Sequence, residues 1–366
     1  MSDFSDLTAF LDELVTRYGA PGNDCVVYHH GKSVYRYPSG FSDAENRVPM
    51  NGTERYNIYS CSKLITCAAA LQLFERGRFK LDDELADYMP EFAEMTVVDG
   101  DKARPARRRI TIRNLFTMTA GFSYDVTTAN LLAGCREIPE MQTRAAMRYL
   151  ARDPLLFDPG DRWNYSLCHD VLAALVEALS GQLFEAYVRD YITEPLGMHS
   201  TTFMLPEGEI GTITPQYVYN VQTETRRRID GHIWIYKLGP AFASGGAGGI
   251  STVDDYIKFL EALRTGDSIL KRETIDLMST DQLTDAQRAT SWGTDGYSYG
   301  LGCRCRSALR PDDGPTDFGW GGAAGAYAAV DRAHGFTVFY AQHILSSRVQ
   351  ARRGLIAGLV RNALGQ

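Results

Sequence analysis

Tyr56-Asn-Ile-Tyr-Ser60-Cys-Ser-Lys63-Leu-Ile-Thr-Cys-Ala-Ala-Ala-Leu-Gln-Leu-Phe74 puts a serine and a lysine three residues apart at the start of a strongly helical stretch. Residues i and i+3 share one face of a helix, so Ser60 and Lys63 are placed to touch while Cys61 and Ser62 point elsewhere. A serine hydroxyl becomes a useful nucleophile when a neighbour takes its proton, and a partly desolvated lysine is suited to that task. Leu64, Ile65, Ala68, Leu71, Leu73 and Phe74 make the helix apolar on most of its surface. Such a helix is buried, and a lysine in its first turn needs a specific partner or use.

Working outward, residues 4–18 have the pattern of an amphipathic helix. Cys25 to Tyr37 reads as two short strands with a turn at His30-Gly31-Lys32. Helical patterns dominate from Ser60 to about residue 200, with starts expected at Asp82-Asp83-Glu84 and Thr111-Ile112-Arg113. A further apolar helix from Asp170 to Leu179 stops at Ser180-Gly181. The last third changes period: Tyr297–Arg306, Gly325–Asp331 and Phe336–His343 alternate like strands, and residues 346–364 form a closing helix. Strands at both ends around a helical middle predict one sheet built from both termini. The expected division is a sheet unit of residues 1–75 and 235–366 around a mainly helical insert of residues 76–234, with a ligand cleft between them.

The chain has 366 residues and a net charge of −7, which gives no sign of nucleic-acid or anionic-membrane binding. Basic runs at Arg104–Arg109 and Arg226–Arg228 are short and read as solvated loops. The beginning, Met1-Ser-Asp-Phe-Ser-Asp-Leu7, lacks the charged and apolar regions of a secretory signal. Seven cysteines without repeating spacing suggest reduced thiols, and the expected compartment is the cytoplasm. No membrane span, cofactor or metal site is expected, because the histidines do not cluster.

Two further segments complete the chemistry. Trp163-Asn-Tyr165-Ser-Leu167 precedes the Asp170 helix, and a tyrosine there could relay the Ser60 proton to a leaving group. Phe318-Gly-Trp320-Gly-Gly322-Ala323-Ala-Gly325 joins a strand, where glycines let a backbone N–H approach an oxyanion and Trp320 supplies a flat apolar wall. Three lookalikes are set aside. Gly296-Tyr-Ser298-Tyr-Gly300 has the letters of a nucleophile elbow but is followed by strand alternation, not a helix. Arg264-Thr-Gly266 follows a helix end. Ser244-Gly-Gly-Ala-Gly-Gly249 lacks the strand and lysine of a phosphate loop and reads as a tight turn.

The order Ser-x-x-Lys, Tyr165, Trp320-x-Gly322 resembles the serine β-lactamase-like hydrolases of the class C β-lactamase and penicillin-binding-protein fold. The likeness is to family VIII carboxylesterases and their acyltransferase relatives in particular. Leu81-Asp-Asp83, Ile110–Gly121, Glu194-Pro-Leu-Gly-Met198 and Gly248-Gly-Ile-Ser-Thr252 extend it over roughly residues 5–345. The resemblance implies an α+β fold with a central antiparallel sheet flanked by helices. It implies Ser60 as nucleophile, Lys63 as its activating partner and Tyr165 as base in acylation and acid towards the leaving group. It further implies an oxyanion hole from the Ser60 and Ala323 N–H groups. Trp320, Gly322, Leu167, Phe122 and Tyr124 are the expected substrate-binding positions. Leu167 stands where lactam-recognising relatives carry asparagine, and Trp320 where they carry lysine or histidine. Both changes weaken penicillin recognition and favour less polar acyl groups. The expected function is cleavage of a small-molecule carboxylic ester through an acyl-enzyme. Alternatives are acyl transfer from the same intermediate, β-lactam or D-amino-peptide hydrolysis, and silent ligand binding.

Overall fold

The computed structural model describes residues 2–206, 208–229, 238–293 and 296–366. Eight strands form one antiparallel sheet in the order Tyr297–Tyr299, Arg304–Arg306, Phe318–Gly321, Tyr327–Asp331, Phe336–Gln342, Gly22–His29, Lys32–Asp43, Val48–Pro49. The two ends of the chain meet in its middle, where Val26 lies opposite Phe339 and Val27 opposite Val338. Strand period 2 sorts these residues to two faces. Cys25, Val27, Val338 and Tyr340 face the terminal helices Ser5–Thr16 and Leu355–Ala363. Val26, Ala328, Val330 and Phe339 face the main core, with Tyr256 and Leu260 of the helix Val253–Thr265. Each fully buried Val, Leu or Phe contributes roughly 1.5–3 kcal/mol, so the register is strongly specified from both sides.

The helix Ser62–Glu75 is buried on nearly every side and packs on the helix Cys168–Ser180. Ala68, Ala69, Ala70, Ala173 and Ala174 are all buried in the main core that the two helices share. Gly181 ends the second helix at φ 74°, a left-handed conformation that glycine adopts without steric penalty. Among the described residues no single helix is long and apolar enough to cross a membrane.

Several local expectations need correction. Asp82-Asp83-Glu84 starts only a single 3-10 turn, Leu85–Asp87, because the Asp83 carboxylate is engaged by the Lys80 N–H and the Tyr88 hydroxyl. Thr111 does start a helix, Ile112–Phe116, with reciprocal capping by Asn114. The closing helix is interrupted: a 3-10 turn at Arg348–Ala351 precedes Leu355–Ala363. Neither basic run is simply a loop, since Lys102–Pro105 and Thr225–Ile229 are hairpin strands. Arg104 pairs with the buried Asp158 at 2.7 Å. The expected boundary at residues 234/235 lies outside the described residues.

Candidate active site

The Ser60 segment is pinned before its helix begins. Tyr56 and Asn57 pair with Ser251 and Ile250, and the Ile58 N–H donates to Gly249 O at 3.0 Å. Tyr59 then takes φ 45°, strained for a bulky residue, and opens the 3-10 turn Tyr59–Cys61 that runs into Ser62–Glu75. Ser60 thus lies one turn ahead of the α-helix. The tighter turn still aligns i with i+3, and Lys63 Nζ is 3.4 Å from Ser60 Oγ.

Tyr165 arrives from the helical side. The Asn164 N–H donates to Met118 O at 2.9 Å, Asn164 Nδ2 to Phe122 O at 2.9 Å, and the Leu167 N–H to Ser123 O at 3.1 Å. These bonds lay residues 164–167 along residues 118–123 and aim the Tyr165 hydroxyl at Ser60, where it donates to Oγ at 2.6 Å. Lys63 Nζ sits 4.6 Å from the centre of the Tyr165 ring, and Trp320 Nε1 points at Tyr165 Oη from 3.4 Å. Lys63 is fully buried and Ser60 is 8% exposed, whereas Tyr165 and Trp320 are half-buried, so Lys63 is shut off from the cleft that the other three line.

The strand Phe318–Gly321 ends in a tight turn where the Gly322 N–H donates to Ala326 O and the Gly325 N–H to Gly322 O. The Ala323 and Ser60 N–H groups have no acceptor among the described residues and are available to a ligand oxygen. A Cβ on Gly322 would stand 2.4 Å from Ile58 O, so glycine is what lets this turn approach the segment that carries Ser60.

Ser60, Tyr124, Tyr165, Trp320, Gly322 and Ala323 line one cavity of about 1150 Å³. Its aromatic wall includes Trp163 and Trp292, which sequence reading did not single out as binding residues. Trp292 lies 4.6 Å from the Tyr165 ring and is largely exposed at the mouth. Nothing in its local sequence separates it from an ordinary loop tryptophan. Tyr124 stacks on Tyr165 at 5.1 Å and brings its hydroxyl 3.4 Å from Lys63 Nζ.

Two expected lining residues turn away. Phe122 is buried and makes an edge contact with Phe92 at 5.7 Å, since Gly121 at φ 96° folds the chain inward just before it. Leu167 is buried in the main core at the entry of the helix Cys168–Ser180. Ser298 is buried within the strand Tyr297–Tyr299, not on a strand-to-helix elbow, and its hydroxyl donates to Asp281 at 2.7 Å. Burial pushes the Cys61 thiol up to about 12 and the His169 imidazole down to about 3. Neither is a competent rival: the thiol stays protonated and the imidazole, beside Cys67 and Phe116 O, stays neutral.

The chain as a whole is matched among known proteins. The Beta-lactamase family profile covers residues 7–360. Esterase EstB of Burkholderia gladioli is 30% identical over 356 residues, covering 91% of this chain and 88% of its own length. Acyltransferase mokF of Monascus pilosus is 30% identical over 256 residues, covering 67% of this chain and 61% of its own. In fold, the chain resembles EstCE1, a hydrolase with promiscuous acyltransferase activity, with TM-score 0.80, 22% identity and coverage of 99% and 98%. It also resembles simvastatin synthase (LovD) from Aspergillus terreus, with TM-score 0.83, 23% identity and full coverage of both chains. On the family match across nearly its whole length, this chain belongs to the beta-lactamase family.

Proposed function

We propose that the protein is a serine hydrolase that cleaves small-molecule carboxylic esters through an acyl-enzyme on Ser60. The observation that carries this reading is the convergence on one oxygen: Ser60 Oγ has Tyr165 Oη at 2.6 Å and Lys63 Nζ at 3.4 Å. Both hydroxyls of the short contact can pass a proton either way. In acylation Tyr165 acts from its ionised form beside the Lys63 ammonium: the Ser60 proton moves to Tyr165 Oη as Oγ bonds to the ester carbonyl carbon, and the oxyanion is held by the Ser60 and Ala323 N–H groups. Collapse breaks the carbon–oxygen bond to the alcohol, and Tyr165 returns the proton to the departing oxygen. Water then repeats the sequence and releases the acid. Lys63 keeps positive charge beside the Tyr165 oxygen while its proton is away. The cleft lies between the sheet unit of residues 1–75 and 235–366 and the helical insert of residues 76–234.

A second reading is favoured by size. A cavity of about 1150 Å³ holds more than one short acyl chain, so an acceptor alcohol has room beside the acyl-enzyme. The likeness to esterase EstB supports hydrolysis and that to acyltransferase mokF supports transfer.

A fluorophosphonate probe tests the central claim. Ser60 is expected to be the labelled residue, and Ser60→Ala to abolish both labelling and p-nitrophenyl ester turnover. Labelling that survives the substitution, or moves to Ser298, overturns it. Turnover of p-nitrophenyl esters of graded length, run with and without an added primary alcohol, separates hydrolysis from transfer by the product formed.

A further inference from the structure

Lys63 and Asp170 are both buried, and among the described residues neither has an oppositely charged side chain within 4.0 Å. An isolated buried charge costs several kcal/mol, so each needs compensation from elsewhere. The glycine-rich run Ser244–Gly249 supplies it to both. Lys63 Nζ donates to Gly246 O at 2.6 Å. The N–H on the other end of that same peptide, from Ala247, donates to Ser244 Oγ at 3.0 Å. Ser244 Oγ in turn donates to Asp170 Oδ1 at 2.6 Å, and the Gly246 N–H reaches the same oxygen at 3.2 Å. A continuous hydrogen-bonded line therefore runs from carboxylate to hydroxyl to peptide to ammonium.

The composition of the run follows from this geometry. A Cβ on Gly246 would stand 2.5 Å from Asp170 Oδ2, and one on Gly245 would stand 2.5 Å from His169 O. Thr66 Oγ1 donates to Gly245 O at 2.7 Å and the Gly249 N–H donates to Ser62 Oγ at 2.8 Å, so the turn is fastened to the nucleophile helix at both ends. Every donor on the line points towards Asp170, which polarises the peptide and strengthens Gly246 O as an acceptor.

We propose that Asp170 is a positioning residue, acting through Ser244 and the Gly246–Ala247 peptide to hold the Lys63 ammonium against Ser60 and Tyr165. The proposal rests on the assignment of Ser60 and Lys63 above. Burial raises the Asp170 carboxyl above its ordinary value, and the Ser244 hydroxyl, the Lys63 charge and the Gly246 N–H offset only part of that rise. The other titratable groups around Lys63 are Tyr124 and Tyr165 from the facing loops, Cys61 and Cys67 on its own segment, and Cys168 and His169 beside Asp170. Burial keeps those three thiols protonated and His169 neutral. Asp170 is the one carboxyl in this group, and the Ser244 hydroxyl, the Gly246 N–H and the Lys63 charge directed at it favour its ionised form.

Asp170→Asn preserves the acceptor oxygen and removes the charge; Ser244→Ala cuts the line and keeps the charge. The readout is the rate of Ser60 phosphonylation by a fluorophosphonate from pH 5 to 10, with kcat and KM for p-nitrophenyl acetate. The midpoint of that pH profile reports on the Ser60 site, and loss of a nearby negative charge moves it to lower pH. D170N is expected to lower the limiting rate about tenfold and the midpoint by about half a unit or more, with KM within about twofold. S244A is expected to shift the midpoint the same way by less. A slower D170N with an unmoved midpoint, or an S244A indistinguishable from wild type, overturns the proposal. Should D170N not fold, the S244A midpoint decides alone: lowered supports the line, unmoved refutes it. Failure of the wild type to label at Ser60 would instead overturn the assignment on which this rests.

Discussion

Trp320 and Tyr165 lie with their rings 5.9 Å apart and nearly parallel, and the Trp320 indole N–H points at the Tyr165 hydroxyl oxygen from 3.4 Å. The tryptophan is therefore more than an apolar wall. Its N–H faces the atom that becomes negative when Tyr165 surrenders a proton. Trp320→Phe keeps the stacked ring and removes the donor. Loss of a hydrogen bond to a charged oxygen is worth about 1.5–3 kcal/mol at good geometry. At this longer distance kcat/KM for p-nitrophenyl butyrate should fall about 5–10-fold, with KM nearly unchanged. A variant at wild-type kcat would show that the indole N–H gives Tyr165 no support.

Tyr165→Phe and Lys63→Ala test the two other members of the cluster. The first deletes the oxygen 2.6 Å from Ser60 Oγ, and the second deletes the cation 3.4 Å from it. General acid–base contributions of this kind amount to about 10²–10⁴ in rate. Each variant should lose about 10² or more in kcat for p-nitrophenyl acetate. The double variant should lose much less than the product of the two, because the residues act as a unit. Full additivity, or near-native turnover in either single variant, refutes a shared proton path.

What the sequence made legible was local. Ser60 and Lys63 are three residues apart, so their meeting needs only one turn of helix. The strands expected at Gly325–Asp331 and Phe336–His343 need only their own local pattern, whereas the register that sets Val26 opposite Phe339 comes from packing on both faces of the sheet. The Gly246 carbonyl that receives Lys63 is 183 residues away, and glycine spacing alone could not say what it touches. Phe122 misled for a similar reason: its ring direction is set by the φ of Gly121, which composition does not encode. Trp292 was missed because an exposed tryptophan shows its purpose only beside the Tyr165 ring.

Leu167 bears on substrate choice less directly than its position in the motif suggests. Its side chain is 2% exposed and packed in the core, and it does not line the cavity. Leu167→Asn therefore buries an amide among apolar neighbours instead of presenting it to a substrate. A destabilisation of about 2–4 kcal/mol is expected in urea titrations, combining lost apolar burial with an unpaired polar group. Nitrocefin hydrolysis should stay weak in wild type and should not rise in the variant. Efficient turnover by L167N at unchanged stability would show that this side chain swings into the cleft.

His343 sets an acid limit on the fold. It is enclosed between the rings of Tyr56 and Tyr217, and neither ring nitrogen has a hydrogen-bond partner among the described residues. Burial, helped by the Arg226 charge, pushes its imidazole from the ordinary 6.5 down to about 3. The folded chain therefore keeps His343 neutral, while the unfolded chain binds a proton below pH 6.5. The unfolded state holds more protons in that window, so stability falls as pH drops from 6.5 towards 3. Between pH 7 and 5 this one residue removes about 2 kcal/mol. His169, lowered to about 3 for the same cause, adds a comparable loss. His343→Leu takes the proton site away without opening a large cavity. Urea unfolding at pH 7 and pH 5 should show the variant losing about 2 kcal/mol less than wild type over that interval. Equal losses in the two proteins would mean that His343 is protonated in the folded state, against the burial that defines its place between the two tyrosines.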